Sequence, residues 1–383
     1  MSITANVEEG GSHPFEVEHD VAMRGGGFYT SNSDLQRANV LKALPLFSLR
    51  GARQPVSPSR PFTIVDYGSS SGVNSIDPFS HICKTYFPPP DPSTPNTKKQ
   101  EVTLVFSDRP SNDFNNVSET IQEARPLLTK QHQHLSIFPT MIPCSFYDRV
   151  MPTSSVDIAF SCSCLHYLSR LPHISSPEVR QETYRQQAHG DLKNFFLLRA
   201  QELVPGAPLV LSFVCSASSK RPNYGPATAA LQQGLQEMLH DGRISPKALE
   251  LFEIPFYSRT IQDVRSVLEE PDIAGKWKVD ELFEHESTHP AYQRLVVDGY
   301  GGEDDIAYAR VVIEWFLAVL TNYFLTALRM AAKASGTEIS TAEENSLLVE
   351  WRERCMKIYL EHHRNERLFA TEIYVRLVRT EER

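Results

Sequence analysis

The sequence has no excess of positive charge. Its 38 lysines and arginines are outnumbered by 47 aspartates and glutamates, for a net charge of −9. That balance leaves no general attraction for a phosphate backbone or an anionic bilayer, so neither nucleic acid nor membrane is expected as a partner. Cysteine is sparse as well. Cys83, Cys144, Cys162, Cys164, Cys215 and Cys355 are dispersed, and their one close pair, a C-x-C, lacks the second half that a zinc site needs. No metal is expected, and the thiols read as reduced, as in the cytoplasm. The opening MSITANVEEGGSHPFEVEHD lacks the basic and apolar regions of a secretory signal. No long apolar run is uninterrupted. The longest, VVIEWFLAVLTNYFLTAL from Val311, carries Glu314, Thr321 and Asn322, which predicts a buried amphipathic helix rather than a membrane span. Disorder is excluded by the remainder: 383 residues at 41% hydrophobic content can bury a large core, as one elaborated domain or a domain with a cap.

Residues 1–22 read as a flexible lead-in, followed by SDLQRANVLKALPLF, a helix with Ser33 as its candidate cap. Short β-rich runs then recur at PFTIVDY, EVTLVFSD, LSIFPTMIP, VDIAFSCSCLHYL and APLVLSFVC, separated by helical stretches such as DLKNFFLLRAQELV. Such alternation predicts a mostly parallel α/β sheet over 23–215. The proline-rich FPPPDPSTPNTKK, near 87–99, suits an exposed insertion. From 216 to 365 the pattern becomes mainly helical, a candidate cap with a return to the sheet near 276–286. TEIYVRLVR, within 366–383, alternates like a final strand of the core sheet.

The segment Ile64-Val65-Asp66-Tyr67-Gly68-Ser69-Ser70-Ser71-Gly72 sets an acid at the end of a buried strand and small residues in the next turn, which lets a ligand approach the backbone closely. Its D-x-G-x-x-x-G spacing is not the G-x-G-x-x-G of a dinucleotide loop, and it has no P-loop lysine. A second strand ends in Asp108, an acid of the type that accepts hydrogen bonds from both hydroxyls of a ribose. A third element, Pro143-Cys144-Ser145-Phe146-Tyr147, offers a hydroxyl and an aromatic for an adenine. Alone, the first motif is as readily an ordinary strand-to-helix turn. Together the three point to a methionine-bearing nucleoside.

These residues resemble the SABATH methyltransferases, the family of salicylate, benzoate, jasmonate and related carboxyl methyltransferases that also includes caffeine-forming N-methyltransferases. MRGGGFYTSNSDLQ is similar to the family's M-x-G-G and S-Y-x-x-N-S-x-x-Q opening, DYGSSSGVNS to its D-L-G-C-S-S-G-P-N-T loop, and FSDRPSNDFN to N-D-L-P-x-N-D-F-N. PCSFYDRVMP resembles G-S-F-Y-x-R-L-F-P, SCSCLHYLSRLP resembles S-S-Y-S-L-H-W-L-S-x-V-P, and ELVPGAPLVLSF and FEIPFYSRTIQDVRSVL continue the match downstream. The resemblance implies a Rossmann-like class I methyltransferase sheet with a mainly helical cap, S-adenosylmethionine as cofactor, a small carboxylic acid as acceptor, and a homodimer. Carried over by position, it implies that Ser33, Asp66, Gly68, Asn74, Asp108, Ser145 and Phe146 line the cofactor site; Arg109, standing where the family usually has leucine, is a candidate for the adenine face and as readily a solvated surface residue. Gln36, His166 and Tyr167 are the implied holders of the acceptor carboxylate, Tyr167 standing where the family has tryptophan.

Two departures bear on the acceptor. Ser163 and Thr228 replace aromatics of the family, which suggests a roomier or more polar pocket, and Arg24 adds a cation near its mouth. A small unsaturated or dicarboxylic acid is therefore the expected acceptor. A carboxylate with a pKa near 4 is already ionised at neutral pH, so His166 need not act as a base. Two other readings stay open: N-methylation of a heterocycle, and a chain that binds S-adenosylmethionine without turnover. The retained Gln36, Asp66, Asp108 and His166 argue against the second, and the loop spacing disfavours a nicotinamide dehydrogenase.

Overall fold

A computed structural model describes residues 21–48, 60–91, 99–172, 177–297, 303–364 and 366–381. The apolar runs form strands β1 (Phe62–Tyr67), β2 (Gln100–Asp108), β3 (Leu135–Pro143), β4 (Ile158–Cys162), β5 (Pro208–Val214), β6 (Trp277–Thr288) and β7 (Phe369–Arg379). The helices are α1 (Phe28–Ser31), α2 (Asp34–Ala43), α3 (Ile76–Tyr86), α4 (Phe114–Gln131), α5 (Arg180–Glu202), α6 (Gly225–His240), α7 (Pro246–Leu251), α8 (Ile261–Leu268), α9 (Glu303–Ala334) and α10 (Thr341–His362). The strands make one sheet in the order β3-β2-β1-β4-β5-β7-β6. β1 to β5 are parallel and β7 runs antiparallel to both β5 and β6, with a bulge between Val279 and Glu281.

β1 is buried along its whole length because both sheet faces are covered. Phe62 and Ile64 pack with Phe79 and Ile82 of α3, whereas Val65 and Tyr67 face Leu192, Phe195 and Phe196 of α5. Val264 and Val267 of α8 join this second face, so 261–268 covers the sheet rather than capping it. A third apolar cluster joins α6, α7, α9 and α10 above the carboxyl ends of the strands, with Trp315 and Phe324 of α9 and Trp351 of α10 at its centre. By length and composition α9 would suffice to cross a bilayer, but most of its apolar surface is spent inside this cluster.

Local differences from the sequence reading have local causes. β4 stops at Cys162, because Ser163 adopts a left-handed φ of 55° and the chain turns, so Leu165, His166 and Tyr167 sit in a loop. That loop is tied down by backbone bonds from Leu168 N–H to Pro255 O (2.7 Å) and from Tyr257 N–H to His166 O (2.9 Å). Phe87 is buried against Phe62, so the insertion begins only at Pro88; residues 92–98 lie outside the described residues. Of the lead-in, 1–20 lie outside them too, while Val21 and Ala22 are docked, accepting hydrogen bonds from Arg109 and Asn322. Ser33 occupies the N-cap position of α2 without a side-chain cap bond.

One wholly buried pair links these layers. Glu202, at the end of α5, accepts from Arg199 (2.9 Å), the Tyr67 hydroxyl (2.5 Å) and the backbone N–H groups of Val150 (2.7 Å) and Met151 (3.1 Å). Arg199 in turn donates to the carbonyls of Phe146 and Asp148, both at 2.9 Å, and its guanidinium lies 4.1 Å from the Tyr67 ring centroid. Breaking such a pair leaves a buried charge without its counter-ion, so Glu202→Leu is expected to cost about 3–5 kcal/mol of stability, read from the shift of the urea midpoint.

Candidate active site

Strand order reverses between β1 and β4, and the crevice opens at that switch point, beyond the carboxyl ends of the strands. The turn after β1 is tight. Gly68 has φ +94°, and a Cβ there would meet Cys164 Sγ at 2.6 Å, so only glycine fits. Its N–H and that of Ser69 donate to Ser107 O at the end of β2, locking the two strand ends together. Asp108 accepts from Ser70 N–H (2.6 Å) through Oδ2 and from Arg109 N–H (2.8 Å) through Oδ1. These two bonds orient the Asp108 carboxylate at the end of β2. Asp66 is buried and accepts from Ser75 Oγ at 2.6 Å. Burial pushes its pKa up to about 7, opposed by the Ser75 bond and reinforced by the charge of Asp108.

Asp66, Gly68, Ser69, Asn74, Asp108, Arg109 and Phe146 line this cleft. Two expected members do not. Ser33 lies behind Asn74, whose amide donates to its hydroxyl (3.3 Å), and the Ser145 hydroxyl turns back to accept from Tyr147 N–H (3.2 Å). Both are short side chains whose hydroxyls are taken up by local backbone and neighbours. Arg109 lines the cleft with its guanidinium on Val21 O (3.3 Å), closing it from the amino-terminal side. Tyr29, Cys164 and Tyr323 also line the cleft and lie outside the motifs that pointed to it. The set suits S-adenosylmethionine: two strand-end acids for a ribose and a cationic tail, Ser69 Oγ buried without a partner, and an aromatic ring for a base. Among the described residues no His, Cys, Asp and Glu group is arranged to hold a metal.

A second cavity, of about 330 Å³, adjoins the cleft. Met23, Tyr29, Gln36, Ser163 and Tyr167 line both, which places them at the junction. Trp315 Nε1 donates to Gln36 Oε1 at 2.6 Å. An indole can only donate, so the amide orientation is fixed and its NH₂ is left as the donor on the cavity side. His166 is buried, and its Nδ1 accepts from Val214 N–H at 3.2 Å. Burial and the nearby Arg259 push its pKa down to about 3. The ring is therefore neutral, with its proton on Nε2 as a second donor. Tyr167 stands beside it, ring centroids 4.5 Å apart.

The cavity wall departs from the expected polar one. Ser163 and Thr228 do line it, but Ser163 Oγ donates to Glu372 (2.7 Å) and Thr228 Oγ1 to Tyr224 O (3.4 Å), so neither offers its proton to a ligand. The aromatic wall comes instead from Tyr224, Phe252, Phe256, Trp315, Phe316 and Trp351. Arg24 is outside the lining, its guanidinium stacked 3.9 Å from the Phe28 ring centroid, and no lysine or arginine lines the cavity among the described residues. Glu372 also lines the cavity, and its one signal in the sequence is an acid at the centre of an otherwise apolar strand.

The sequence profile of the SAM dependent carboxyl methyltransferases matches residues 18–322. O-methyltransferase acrG of Aspergillus aculeatus is 38% identical, with 94% of this chain and 98% of the relative covered. Methyltransferase LUC1 of a Fusarium species is also 38% identical, with the same coverage of 94% and 98%. Among solved structures, a loganic acid methyltransferase with S-adenosylhomocysteine superposes with a TM-score of 0.68 over 94% of this chain and 99% of that one, at 21% identity, which speaks to the fold. Sheet, crevice and lining thus define an S-adenosylmethionine-dependent methyltransferase of the Rossmann-like class. The chain belongs to the SAM-dependent carboxyl methyltransferase family, the SABATH group, and O-methylates an organic acid.

A cationic ligand favours ionised Asp66. Affinity for S-adenosylhomocysteine, followed by calorimetric titration, is expected to fall as pH drops through about 7 and to lose that dependence in Asp66→Asn. In the free enzyme the sign is opposite: a raised carboxyl pKa stabilises the fold below the unfolded value, and that contribution is lost as pH rises through the folded one.

Proposed function

We propose that the acceptor is a monocarboxylic acid with an extended, mainly apolar body, larger than the small unsaturated or dicarboxylic acids suggested by Ser163 and Thr228. The observation that carries this reading is the aromatic wall of a cavity of about 330 Å³ without a basic side chain in its lining. Apolar burial there contributes roughly 25 cal/mol per Å² of acceptor surface. A second carboxylate would enter with no counter-ion, at a cost of several kcal/mol.

When bound, S-adenosylmethionine supplies an electrophilic methyl group. Gln36 Nε2 and His166 Nε2 hold one carboxylate oxygen of the acceptor by donating to it, which leaves the other oxygen unencumbered toward the cleft. Tyr167 offers a third donor at the junction. The acceptor arrives ionised, so no residue has to remove a proton, and a neutral His166 suits this work because it donates without adding charge. The aromatic wall excludes water, which strengthens these bonds and reduces solvation of the attacking oxygen. The family resemblance also supports a homodimer, tested by light scattering, and the reduced thiols a cytoplasmic location.

Activity should rise with apolar bulk. In assays with labelled cofactor, kcat/KM is expected to increase from short diacids to longer apolar monoacids, and faster turnover of a short diacid than of every monoacid tested would sink the reading. Gln36→Leu should lower kcat/KM by about 10–100-fold, the worth of a hydrogen bond to a charged group. Trp315→Phe should lower it by about tenfold, because the Gln36 amide is then free to turn. His166→Gln should reduce the rate without moving any acid limb, since that histidine is neutral down to about pH 3; an inflection near pH 7 should instead disappear with Asp66→Asn.

A further inference from the structure

β7 is inserted between β5 and β6, and its Glu372 is only 1% exposed, yet its side chain belongs to the lining of the acceptor cavity. Two donors converge on the same oxygen: Asn39 Nδ2 at 2.8 Å and Ser163 Oγ at 2.7 Å both bond to Oε1. Oε2 has no hydrogen-bond partner. No ion pair with a lysine or arginine is found for this carboxyl among the described residues. A buried carboxylate without a cation costs several kcal/mol, whereas a carboxylic acid with a doubly bonded carbonyl oxygen does not. The arrangement therefore suits the protonated form, with Oε1 as the carbonyl and Oε2 as the hydroxyl. Burial acts in the same direction, raising the pKa against the lowering effect of the Ser163, Ser212 and Asn39 side chains.

We propose that Glu372 selects the acceptor by its second functional group, pairing Oε2 with a neutral hydrogen-bonding substituent such as a hydroxyl or amide and discriminating against a second carboxylate. The inference rests on the reading of this cavity as the acceptor site. Ser163 is well placed to make Glu372 rigid: it sits at the junction, its N–H is fixed to Ser212 O at 2.7 Å, and its left-handed backbone aims the hydroxyl at β7. A hydroxyl can both accept from and donate to a carboxylic acid, so it satisfies Oε2 on either side of the proton. A second carboxylate could accept the Oε2 proton, but the two carboxyl groups would then hold an uncompensated negative charge between them. It would also lie in a lining without a lysine or arginine, already holding the reacting carboxylate.

The test is calorimetric titration of octanoic, 8-hydroxyoctanoic and octanedioic acids into the enzyme saturated with S-adenosylhomocysteine. Wild type is expected to bind the hydroxy acid at least about tenfold more tightly than the diacid, the equivalent of one well-made polar contact against one unpaired charge. Glu372→Gln is a neutral isostere of the protonated acid: it keeps the shape, the two bonds from Asn39 and Ser163 and a donor at the Oε2 position, and is expected to keep the wild-type ratios within about threefold. Glu372→Leu removes that polar group and should lower the preference for the hydroxy acid over octanoic acid by about tenfold. Should it fail to fold, Ser163→Ala, which frees the carboxyl to turn, is expected to lower the preference for the hydroxy acid over octanoic acid by about threefold. Binding of the monoacids with ratios unaffected by Glu372→Leu and by Ser163→Ala would overturn the role of Glu372 and leave the acceptor site standing. Failure of all three acids to bind would overturn the acceptor site itself.

Discussion

The charge pair of Arg199 and Glu202 is the interaction on which the geometry of the site depends. Both side chains are withdrawn from water, so each must be satisfied within the protein. Apart from Arg199 Nε, which makes no hydrogen bond, they do so by collecting partners from three places: the end of β1 at Tyr67, the loop after β3 at Phe146 and Asp148, and the turn at Val150 and Met151. The consequence is positional. Phe146 is held at the cofactor cleft by its own carbonyl, and β1, which carries Asp66, is clamped against α5.

On that frame the reversal of strand order opens one crevice and the helical layer closes a second. Their electrostatic characters differ. The cofactor cleft presents Asp66 and Asp108, whereas the acceptor cavity presents no basic side chain among its described lining residues. A carboxylate entering that cavity finds its opposite charge on the bound sulfonium rather than on the protein. Polar groups along the cavity are correspondingly neutral and fixed: the Gln36 amide by Trp315, the His166 ring by Val214 N–H, and the Glu372 carboxyl by Asn39 and Ser163. Donors fixed before binding need not reorganise during reaction, which is where such sites gain most of their effect.

Much of the cofactor side was legible from sequence, because its elements are local. A strand ending in an acid followed by glycine and serines fixes its own turn, and Asp66, Gly68, Asn74, Asp108 and Phe146 all line the cleft. Ser33 and Ser145 illustrate the limit of motif carry-over. Their positions fit the pattern, but a serine hydroxyl can be satisfied by its own neighbourhood, and both are. Arg24 shows the same for a long side chain, since an aromatic neighbour four residues away, Phe28, captures it.

The acceptor cavity belongs to tertiary structure. Gln36, His166 and Tyr167 could be named from motifs, yet which atom of each faces the acceptor was set by Trp315 from α9 and Val214 from β5, residues far away along the chain. Replacement of two aromatics by Ser163 and Thr228 suggested a polar pocket because the sequence shows only what is lost at a position. Packing of α6, α9 and α10 brought other aromatics to the same space, and the two hydroxyls were turned to protein partners. By itself the sequence determined the parallel strands, the acid-bearing strand ends and the chemistry of the methyl donor, all governed by short-range pattern. Only the tertiary structure decided the shape, wall and polarity of the acceptor cavity, because those follow from side chains that meet through packing and not through spacing.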